Sequence, residues 1–370
     1  MSTLNFDYIV VGAGSAGCVL AARLSEDPSV QVALIEAGPP DTSALIHCPA
    51  GIALMARTEI VSQGLNTVPQ PGLNGRIGFQ PRGRTLGGSS STNAMAYIRG
   101  QAVDYDTWAQ MGCAGWSWAE VFPYFLKAEH NERIHNEWHA QNGPLNVADL
   151  QSPNAFSKRF VEAGIQAGLP LTTDFNGPTQ EGVGLYQVTQ RAGERFSAAK
   201  AYLTPHLQRP NLQVITGAHA TRILFEGKRA TGVSFLRKQG GVETIVSARR
   251  EVIISGGTAN TARLLQVSGV GSASVVGKLG VKMVHELPGV GENLIDHYSA
   301  RMVMRARSEV VTLNELARGP RLGMEIVRWA MKQPSILALL PSQVYLFCKS
   351  KEEVQLPDLQ CVFVPGSYTQ

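Results

Sequence analysis

Near its start the chain reads Asp7-Tyr-Ile-Val-Val-Gly12-Ala-Gly14-Ser-Ala-Gly17, an apolar run that breaks into Gly-x-Gly-x-x-Gly and then into a helical pattern. Gly12 permits a tight turn out of a strand, Gly14 lets backbone approach a pyrophosphate, and Gly17 lets the following helix pack close to the sheet. The N–H groups and the dipole at the start of that helix favour negative charge without a basic side chain. The pattern therefore predicts a strand-turn-helix that binds a dinucleotide.

A second apolar run, Val32-Ala-Leu-Ile35, ends at Glu36, which lies 19 residues after Gly17. An acid at about this distance can accept hydrogen bonds from a ribose, and its charge would repel a 2′-phosphate. The alternative is a strand-turn-helix with no ligand. That alternative does not explain why three glycines and an acid fall at these positions.

Length and composition are those of a globular enzyme. At 370 residues the chain has room for two domains, and its 44% hydrophobic and 17% charged residues do not fit a disordered chain. The net charge of +4 is small, and no dense basic block is interleaved with aromatic residues. This argues against a dedicated nucleic-acid surface.

The cysteines and the apolar segments bear on location. The cysteines stand singly and form no Cys-x-x-Cys pair, which favours a reducing compartment. No cleavable leader and no uninterrupted apolar run of about 18 residues is visible. Residues 335–347 are interrupted by polar residues and proline, so we expect a core or an interface there. The sequence predicts a cytoplasmic protein and leaves open peripheral contact with the inner membrane. The cysteines are Cys18, Cys48, Cys113, Cys348 and Cys361.

The order of predicted elements indicates an α/β fold. The first forty residues read as strand, helix and strand, which implies parallel pairing. Residues 39–84 lack periodicity and predict a long loop, and residues 152–168 predict a helix. Alternating patterns then predict consecutive meander strands at 212–215, 220–225, 231–236 and 242–246. A further short strand at 251–254 runs into glycines and a helix.

A second glycine-rich segment reads Gly83-Arg-Thr-Leu-Gly-Gly-Ser-Ser-Ser-Thr92-Asn93-Ala-Met-Ala-Tyr97. Its many backbone N–H groups and hydroxyls suit a pyrophosphate or a flavin edge. A serine-rich turn that caps a helix starting near Asn93 explains the same residues equally well. The residues alone do not decide between these two interpretations.

This segment, together with Gly12–Gly17 and Glu36, resembles the glucose-methanol-choline (GMC) family of flavin oxidoreductases. Further matches follow in the family's order at 195–203, 257–271 and 288–297, so the resemblance covers about residues 5 to 300. Segments 45–52 and 96–100 are most similar to the bacterial alcohol dehydrogenase and choline dehydrogenase branch. The family implies an α/β fold with a doubly wound, Rossmann-like FAD-binding domain that carries a β-meander. A discontinuous α+β substrate domain completes it.

The resemblance also implies domain limits and cofactor contacts. Residues 1–150 and 190–298 would form the FAD-binding domain, and residues 151–189 and 299–370 would form part of the substrate domain. Thr92 occupies the position where a few members link the flavin through histidine, so non-covalent FAD is implied. The residues expected to line FAD are Gly12, Gly14, Ser15, Gly17, Glu36, Arg84, Thr85, Gly88, Ser89, Asn93, Ala94, Met95 and Ala220.

By resemblance, the chemistry is oxidation of a primary alcohol, aliphatic or choline-like, to the aldehyde by hydride transfer to flavin N5. A quinone or another carrier would then take the electrons. The family's catalytic histidine is expected beyond Gln370, so no catalytic residue is assigned. The 370 residues would be a fragment or a naturally short relative, and their activity alone is left open. The alternatives are lyase chemistry on a cyanohydrin and a truncated, non-catalytic FAD-binding protein.

Histidines suggest no metal centre. His135 and His139 are four residues apart, a spacing that can place two imidazoles on one helix face for zinc. Glu137 is not where a zinc protease would use it, and Gly143-Pro144 follow closely. We therefore expect a surface loop here and no metal, and a structural role for His297.

Overall fold

The computed structural model describes residues 4–55, 58, 60–237 and 240–367. The chain divides into two compact units, each assembled from segments that are separate in sequence. The first unit comprises Met1–Ser43, Leu54–Asn93 and Ser197–Ala300, and the second comprises Ala44–Ala53, Ala94–Phe196 and Arg301–Gln370.

These units differ from the predicted domains. Residues 44–53, 94–150 and 190–196 cluster with the second unit, although the sequence placed them in the FAD-binding domain, and residues 299–300 cluster with the first. The reason is a pairing between distant segments. Ala96 bridges Val188, and the Tyr97 N–H donates to the Gln187 carbonyl at 2.9 Å. These contacts hold residues 94–97 against another segment of the second unit.

The described residues form strands and helices in the following order. The strands are β1 (Leu4–Val11), β2 (Val32–Ile35), β3 (Ser62–Asn66), β4 (Phe79–Gly83), β5 (Glu129–Asn131), β6 (Leu145–Val147), β7 (Gly182–Leu185), β8 (Gln190–Arg191), β9 (Glu194–Arg195), β10 (Leu212–Ile215), β11 (His219–Glu226), β12 (Arg229–Leu236), β13 (Thr244–Ile254), β14 (Val270–Gly271), β15 (His285–Glu286), β16 (Val344–Cys348) and β17 (Leu359–Phe363). The helices are α1 (Ser15–Leu24), α2 (Ala44–His47), α3 (Ile52–Met55), α4 (Ala102–Gln110), α5 (Trp118–Ala128), α6 (Ala155–Gln166), α7 (Gly257–Val267), α8 (Ala273–Lys278), α9 (Leu313–Leu316) and α10 (Gly319–Ala330).

A six-stranded sheet in the order β10-β2-β1-β13-β12-β11 organises the first unit. Neighbours among β10, β2, β1 and β13 are parallel, whereas β12 and β11 continue from β13 as an antiparallel meander. The α/β class and the Rossmann-like start are confirmed. Ile9, Leu34 and Val233 are among the side chains that the sheet buries completely or almost completely.

Two details of the predicted meander are wrong. Leu212–Ile215 is not a meander strand, because it pairs in parallel with β2 at the sheet edge. The strands predicted at 242–246 and 251–254 are one, Thr244–Ile254, which runs beside β1 with a register shift between Phe6 and Tyr8. This one long strand pairs with β12 on one edge and with β1 on the other.

The loop predicted at 39–84 contains more structure than expected. It holds α2, α3 and the antiparallel hairpin of β3 and β4. The helix predicted at 152–168 is observed as Ala155–Gln166, and the Asn154 side chain caps it by accepting from the Phe156 N–H at 2.8 Å.

The second unit is built on the antiparallel sheet β17-β16-β7. Its core contains Tyr186, Leu340 and Phe347. The apolar stretch near residue 340 therefore belongs to the core, which was one of the two predicted alternatives. Tyr345 stacks on Tyr186, with ring centroids 4.3 Å apart. Among the described residues, no helix combines the length and the apolar character needed to cross a bilayer.

Candidate functional site

The glycine-rich turn of the first unit leaves β1 through backbone that only glycine adopts easily. Gly12 has φ +96°, and its N–H donates to the Ile35 carbonyl at 2.8 Å. A Cβ on Gly12 would lie 2.5 Å from the Ser255 carbonyl oxygen, and one on Gly17 would lie 1.9 Å from the Gly12 oxygen. At Gly12 and Gly17 the turn is therefore packed against its neighbours with no room for a side chain.

Helix α1 begins at this turn with a start suited to an anion. Among the described residues, no side chain caps its N-terminus at Gly14, and its first turn holds no acid. A Cβ on Gly14 would meet its nearest atom, the Ser255 oxygen, only at 4.0 Å, so space remains open there. Ser15, the first helical residue, is exposed. The helix dipole and open backbone together favour a phosphate group.

Glu36 follows β2 and lies beside the same turn. Its carboxylate accepts from the Ala13 N–H and the Gly38 N–H, both at 2.8 Å. Burial raises the pKa of Glu36, while the N–H donors of Gly38 and Ala13 partly offset that rise. Each carboxylate oxygen has a further lone pair, which can accept from a hydroxyl such as that of a ribose.

The second glycine-rich segment lies on the first. The Gly87 N–H donates to the Ala13 carbonyl at 2.7 Å, and Thr85 Oγ1 donates to the Pro39 carbonyl at 2.8 Å. A Cβ on Gly88, whose φ is +53°, would lie 2.7 Å from the Gly14 Cα. Gly88–Ser91 forms a short 3₁₀ turn against the dinucleotide turn, but the helix predicted to start near Asn93 is absent, since residues 93–101 contain no helix. The flavin-site interpretation stays a prediction.

Three polar residues of this segment remain accessible. Arg84, Ser89 and Asn93 are exposed. Arg84 Nη2 approaches the Ala37 carbonyl at 3.4 Å, and Ser89 Oγ accepts from the Gly83 N–H at 3.1 Å. Arg84 therefore lies close to Glu36, and Ser89 lies on the loop that covers the turn.

The backbone just before Ala220 is hydrogen-bonded to the backbone of Glu36. The Ala218 N–H donates to the Glu36 carbonyl at 2.8 Å, and the Gly217 N–H donates to the Gly38 carbonyl at 2.9 Å. Ala220 follows in β11, half-buried, at an irregularity of its pairing with β12.

Ala94 and Met95 belong to the second unit. Met95 is buried and has φ +54°, an uncommon conformation for a residue with a side chain. Its carbonyl accepts from the Thr189 N–H at 2.9 Å, which fixes this backbone within the unit.

The structure adds one segment that the sequence analysis had not placed at the site. The Ser255 N–H donates to the Val11 carbonyl at 2.7 Å, so the end of β13 lies next to the end of β1. Helix α7 follows with Gly256 as its N-cap, and no side chain of the described residues caps it. The signal was present in the sequence, because the predicted strand at 251–254 runs into glycines and a helix.

His139 corrects the prediction of a surface loop. It is buried, with Nδ1 2.9 Å from Glu129 Oε1 and Nε2 3.0 Å from Asp174 Oδ2. Arg99 Nη2 lies 2.8 Å from Glu129 Oε2, which completes a cluster of two acids and two bases in the second unit, buried except for the partly exposed Asp174. Of these two histidines, His135 is the exposed one, as expected. Within the described part of the chain, no group of three or more histidines, cysteines or acids is arranged to hold a metal ion.

Electrostatics explains why burial of His139 is tolerated. Burial lowers the pKa of His139, but hydrogen bonds to Asp174 and Glu129 outweigh that effect and raise it to about 9. Burial likewise raises the pKa of Glu129 and of Asp174, and the hydrogen bonds to His139 reverse this, so both carboxyl groups end below their usual range. The cluster is a set of paired charges.

The residues of the first unit fit a dinucleotide. The uncapped start of α1 suits a pyrophosphate, the open space at Gly14 allows close approach, and Glu36 offers acceptors for a ribose. Of the polar side chains predicted to line FAD, Arg84, Ser89 and Asn93 are exposed on the covering loop, whereas Thr85 is buried and donates to the Pro39 carbonyl.

Comparisons with known proteins identify the family. The sequence model of the family described as GMC oxidoreductase matches residues 6–299. The chain is 46% identical to the alcohol dehydrogenase [acceptor] of Pseudomonas putida, over 97% of this chain and 65% of that protein. It is 41% identical to the mitochondrial choline dehydrogenase of Mus musculus, over 98% of this chain and 61% of that protein.

A solved structure gives the same result for the fold. Pyridoxine 4-oxidase from Mesorbium loti is 31% identical and superposes with a TM-score of 0.78, over 93% of this chain and 63% of that one. The chain thus spans less than two thirds of the length of each of these relatives.

Proposed function

The chain belongs to the GMC oxidoreductase family, and from this premise we propose that it takes part in the FAD-dependent oxidation of a primary alcohol, aliphatic or choline-like, to the aldehyde. The observation that carries the proposal is the joint placement of the uncapped α1 start, Glu36 and the Gly87–Gly88 backbone around one turn. The names of two relatives, alcohol dehydrogenase [acceptor] and choline dehydrogenase, support the class of substrate.

The cofactor of this family is FAD, and different residues of the chain would bind different parts of it. When bound, FAD supplies the hydride acceptor, at N5, for the carbinol carbon of the alcohol. We propose that the N–H groups at Gly14 and Ser15 bind the pyrophosphate and that the Glu36 carboxylate accepts from the ribose hydroxyls. Arg84, Ser89 and Asn93 would contact the cofactor from the covering loop. Thr92 has no nucleophilic ring nitrogen, which favours non-covalent binding.

The first unit would serve as the FAD-binding domain and the second as part of the substrate domain. The proton acceptor for the alcohol stays unassigned, since the resemblance points to no residue of this chain for that role. We assign no catalytic residue on this ground.

The partner in electron transfer is an acceptor, as the name of the Pseudomonas putida relative suggests, and we propose a quinone or another carrier. The cysteines are all free, which supports a reducing compartment such as the cytoplasm. Contact with the periphery of the inner membrane is part of the same proposal, because a lipid-soluble quinone is reached there.

Anaerobic addition of an alcohol panel to the FAD-loaded chain tests the proposed oxidation. Loss of the visible flavin absorption with one class of alcohol is the expected result, and that class names the substrate. A chain that holds FAD while no alcohol bleaches it would contradict oxidation by these 370 residues alone. That outcome would favour lyase chemistry or a non-catalytic FAD-binding role.

A further inference from the structure

Helix α10 in the second unit packs with its polar side inward. Glu325 is buried, and its Oε2 accepts from the Ile336 N–H at 2.9 Å. Trp329 Nε1 donates to the Gly193 carbonyl at 3.1 Å. These contacts fix which face of the helix looks toward the unit.

The opposite face of α10 is apolar and exposed. Met324, Val327 and Met331 are 56%, 57% and 64% exposed. Spacings of three and four residues place these side chains on one stripe, since an α-helix repeats every 3.6 residues. A stripe of this kind is normally the buried side of a helix. We call these three residues the apolar stripe.

Basic residues run along one edge of the apolar stripe. Arg321 and Arg328 lie next to Met324 by helical periodicity, and Lys332 follows just beyond the helix. All three are exposed. The acid of the helix, Glu325, is turned inward and paired with Arg328 at 3.1 Å. The outward surface of α10 is therefore cationic and apolar together.

The surrounding sequence strengthens this charge. Residues 301–332, the basic segment, contain seven lysines and arginines against three acids, so they carry a net +4, equal to the net charge of the whole chain. At the start of the basic segment, Met302, Val303 and Met304 are also exposed, between Arg301 and Arg305. The remainder of the chain is neutral on balance.

We propose that α10 and the basic segment dock on an anionic lipid surface. The apolar stripe would enter the boundary between headgroups and acyl chains, and the cations along its edge would contact lipid phosphates. A second copy of the chain is a poorer occupant, because a symmetric contact would bring the same cations together. This inference deepens the proposed membrane contact and does not depend on the alcohol chemistry.

Co-sedimentation of the 370-residue chain with vesicles tests this surface. We expect binding to vesicles of phosphatidylcholine with about one third phosphatidylglycerol, weakened by salt, and little binding to phosphatidylcholine alone. Arg321→Glu with Lys332→Glu should lower the affinity by at least about tenfold. Met324→Ser with Val327→Ser should also weaken it, because the inserted apolar area is lost.

The matched control is Lys158→Glu with Lys228→Glu, which changes the net charge equally at two exposed positions outside the basic segment. It should bind nearly as well as the unchanged chain, and thermal melts should show every variant folded. Equal loss in the control, or no binding to anionic vesicles, would overturn the inference. Self-association that Met324→Ser with Val327→Ser abolishes would also overturn it in favour of a second copy. The assay needs no turnover, so a chain that oxidises alcohols but ignores vesicles refutes this inference alone.

Discussion

Gly14 and Gly17 separate ligand binding from folding within one motif. A Cβ at Gly14 would enter open space, whereas a Cβ at Gly17 would lie 1.9 Å from a backbone oxygen. Gly14→Ala should therefore change the free energy of unfolding by less than about 1 kcal/mol. It should weaken FAD binding by at least about tenfold, because the methyl group occupies the place of the pyrophosphate. Titration of the apo-chain with FAD, followed by flavin fluorescence, measures the second effect.

Gly17→Ala should instead lower the free energy of unfolding by about 1–3 kcal/mol, since the helix must move away from the turn. Gly277→Ala is the control for both, because a Cβ there meets no atom within 4 Å and the residue is exposed in α8. If Gly14→Ala binds FAD as tightly as the Gly277→Ala variant, the pyrophosphate does not lie at this turn.

Glu36 combines a structural role with the proposed ribose contact. Its two oxygens accept from two backbone N–H groups, and an amide has only one oxygen to offer. Glu36→Gln should therefore lower the free energy of unfolding by about 1–3 kcal/mol, measured by urea denaturation. Glu226→Gln, at the exposed end of β11, should be close to neutral. Equal stability of the two variants would show that the carboxylate is not needed there.

At the scale of elements, the buried cluster around His139 holds β5 to the loops beside it. The pKa of His139 is raised from 6.5 to about 9, so the folded chain binds its proton more tightly than the unfolded chain. This contribution to stability is fully present below pH 6.5 and is lost as the pH rises to about 9. The full effect is on the order of 3 kcal/mol. Because the pKa values of Glu129 and Asp174 are lowered, their contribution is lost in acid instead.

Urea denaturation at a series of pH values measures this dependence. His139→Gln should be less stable at pH 6 and should lose most of the decline between neutral and alkaline pH. His135→Gln, on the same loop but exposed, is the control and should keep the profile of the unchanged chain. A profile of the His139→Gln variant that still falls as steeply would place the titrating group elsewhere.

Elements with a strong local pattern were predictable, and those defined by distant partners were not. β1, α1 and β2 follow from residues 7–36 because strand, turn and helix signals agree there. The pairing of β10 with β2 could not be predicted from the sequence, since the apolar pattern of Leu212–Ile215 fits a place beside β2 or in the meander equally well. His139 was misjudged for the same reason: its partner Asp174 lies far away in sequence, and only folding shows that the two acids meet it.

At the scale of the whole molecule, family and fold class could be predicted because several motifs occur in the family's order. The division into units could not, since it depends on residues 94–97 pairing with 187–189. The outward apolar stripe of α10 also escapes sequence reading. An amphipathic pattern does not reveal which side faces the protein until Glu325 and Trp329 are seen to make the inward contacts.

The central claim is that the first unit holds FAD without a covalent bond. The most direct measurement is the absorption spectrum of the purified chain, taken after incubation with FAD and gel filtration, and again on the supernatant after acid precipitation. We predict flavin bands that travel with the protein and that acid releases completely into the supernatant. A colourless protein that takes up no added FAD would contradict the claim of binding, and flavin that stays with the precipitate would contradict the claim that Thr92 leaves it unlinked.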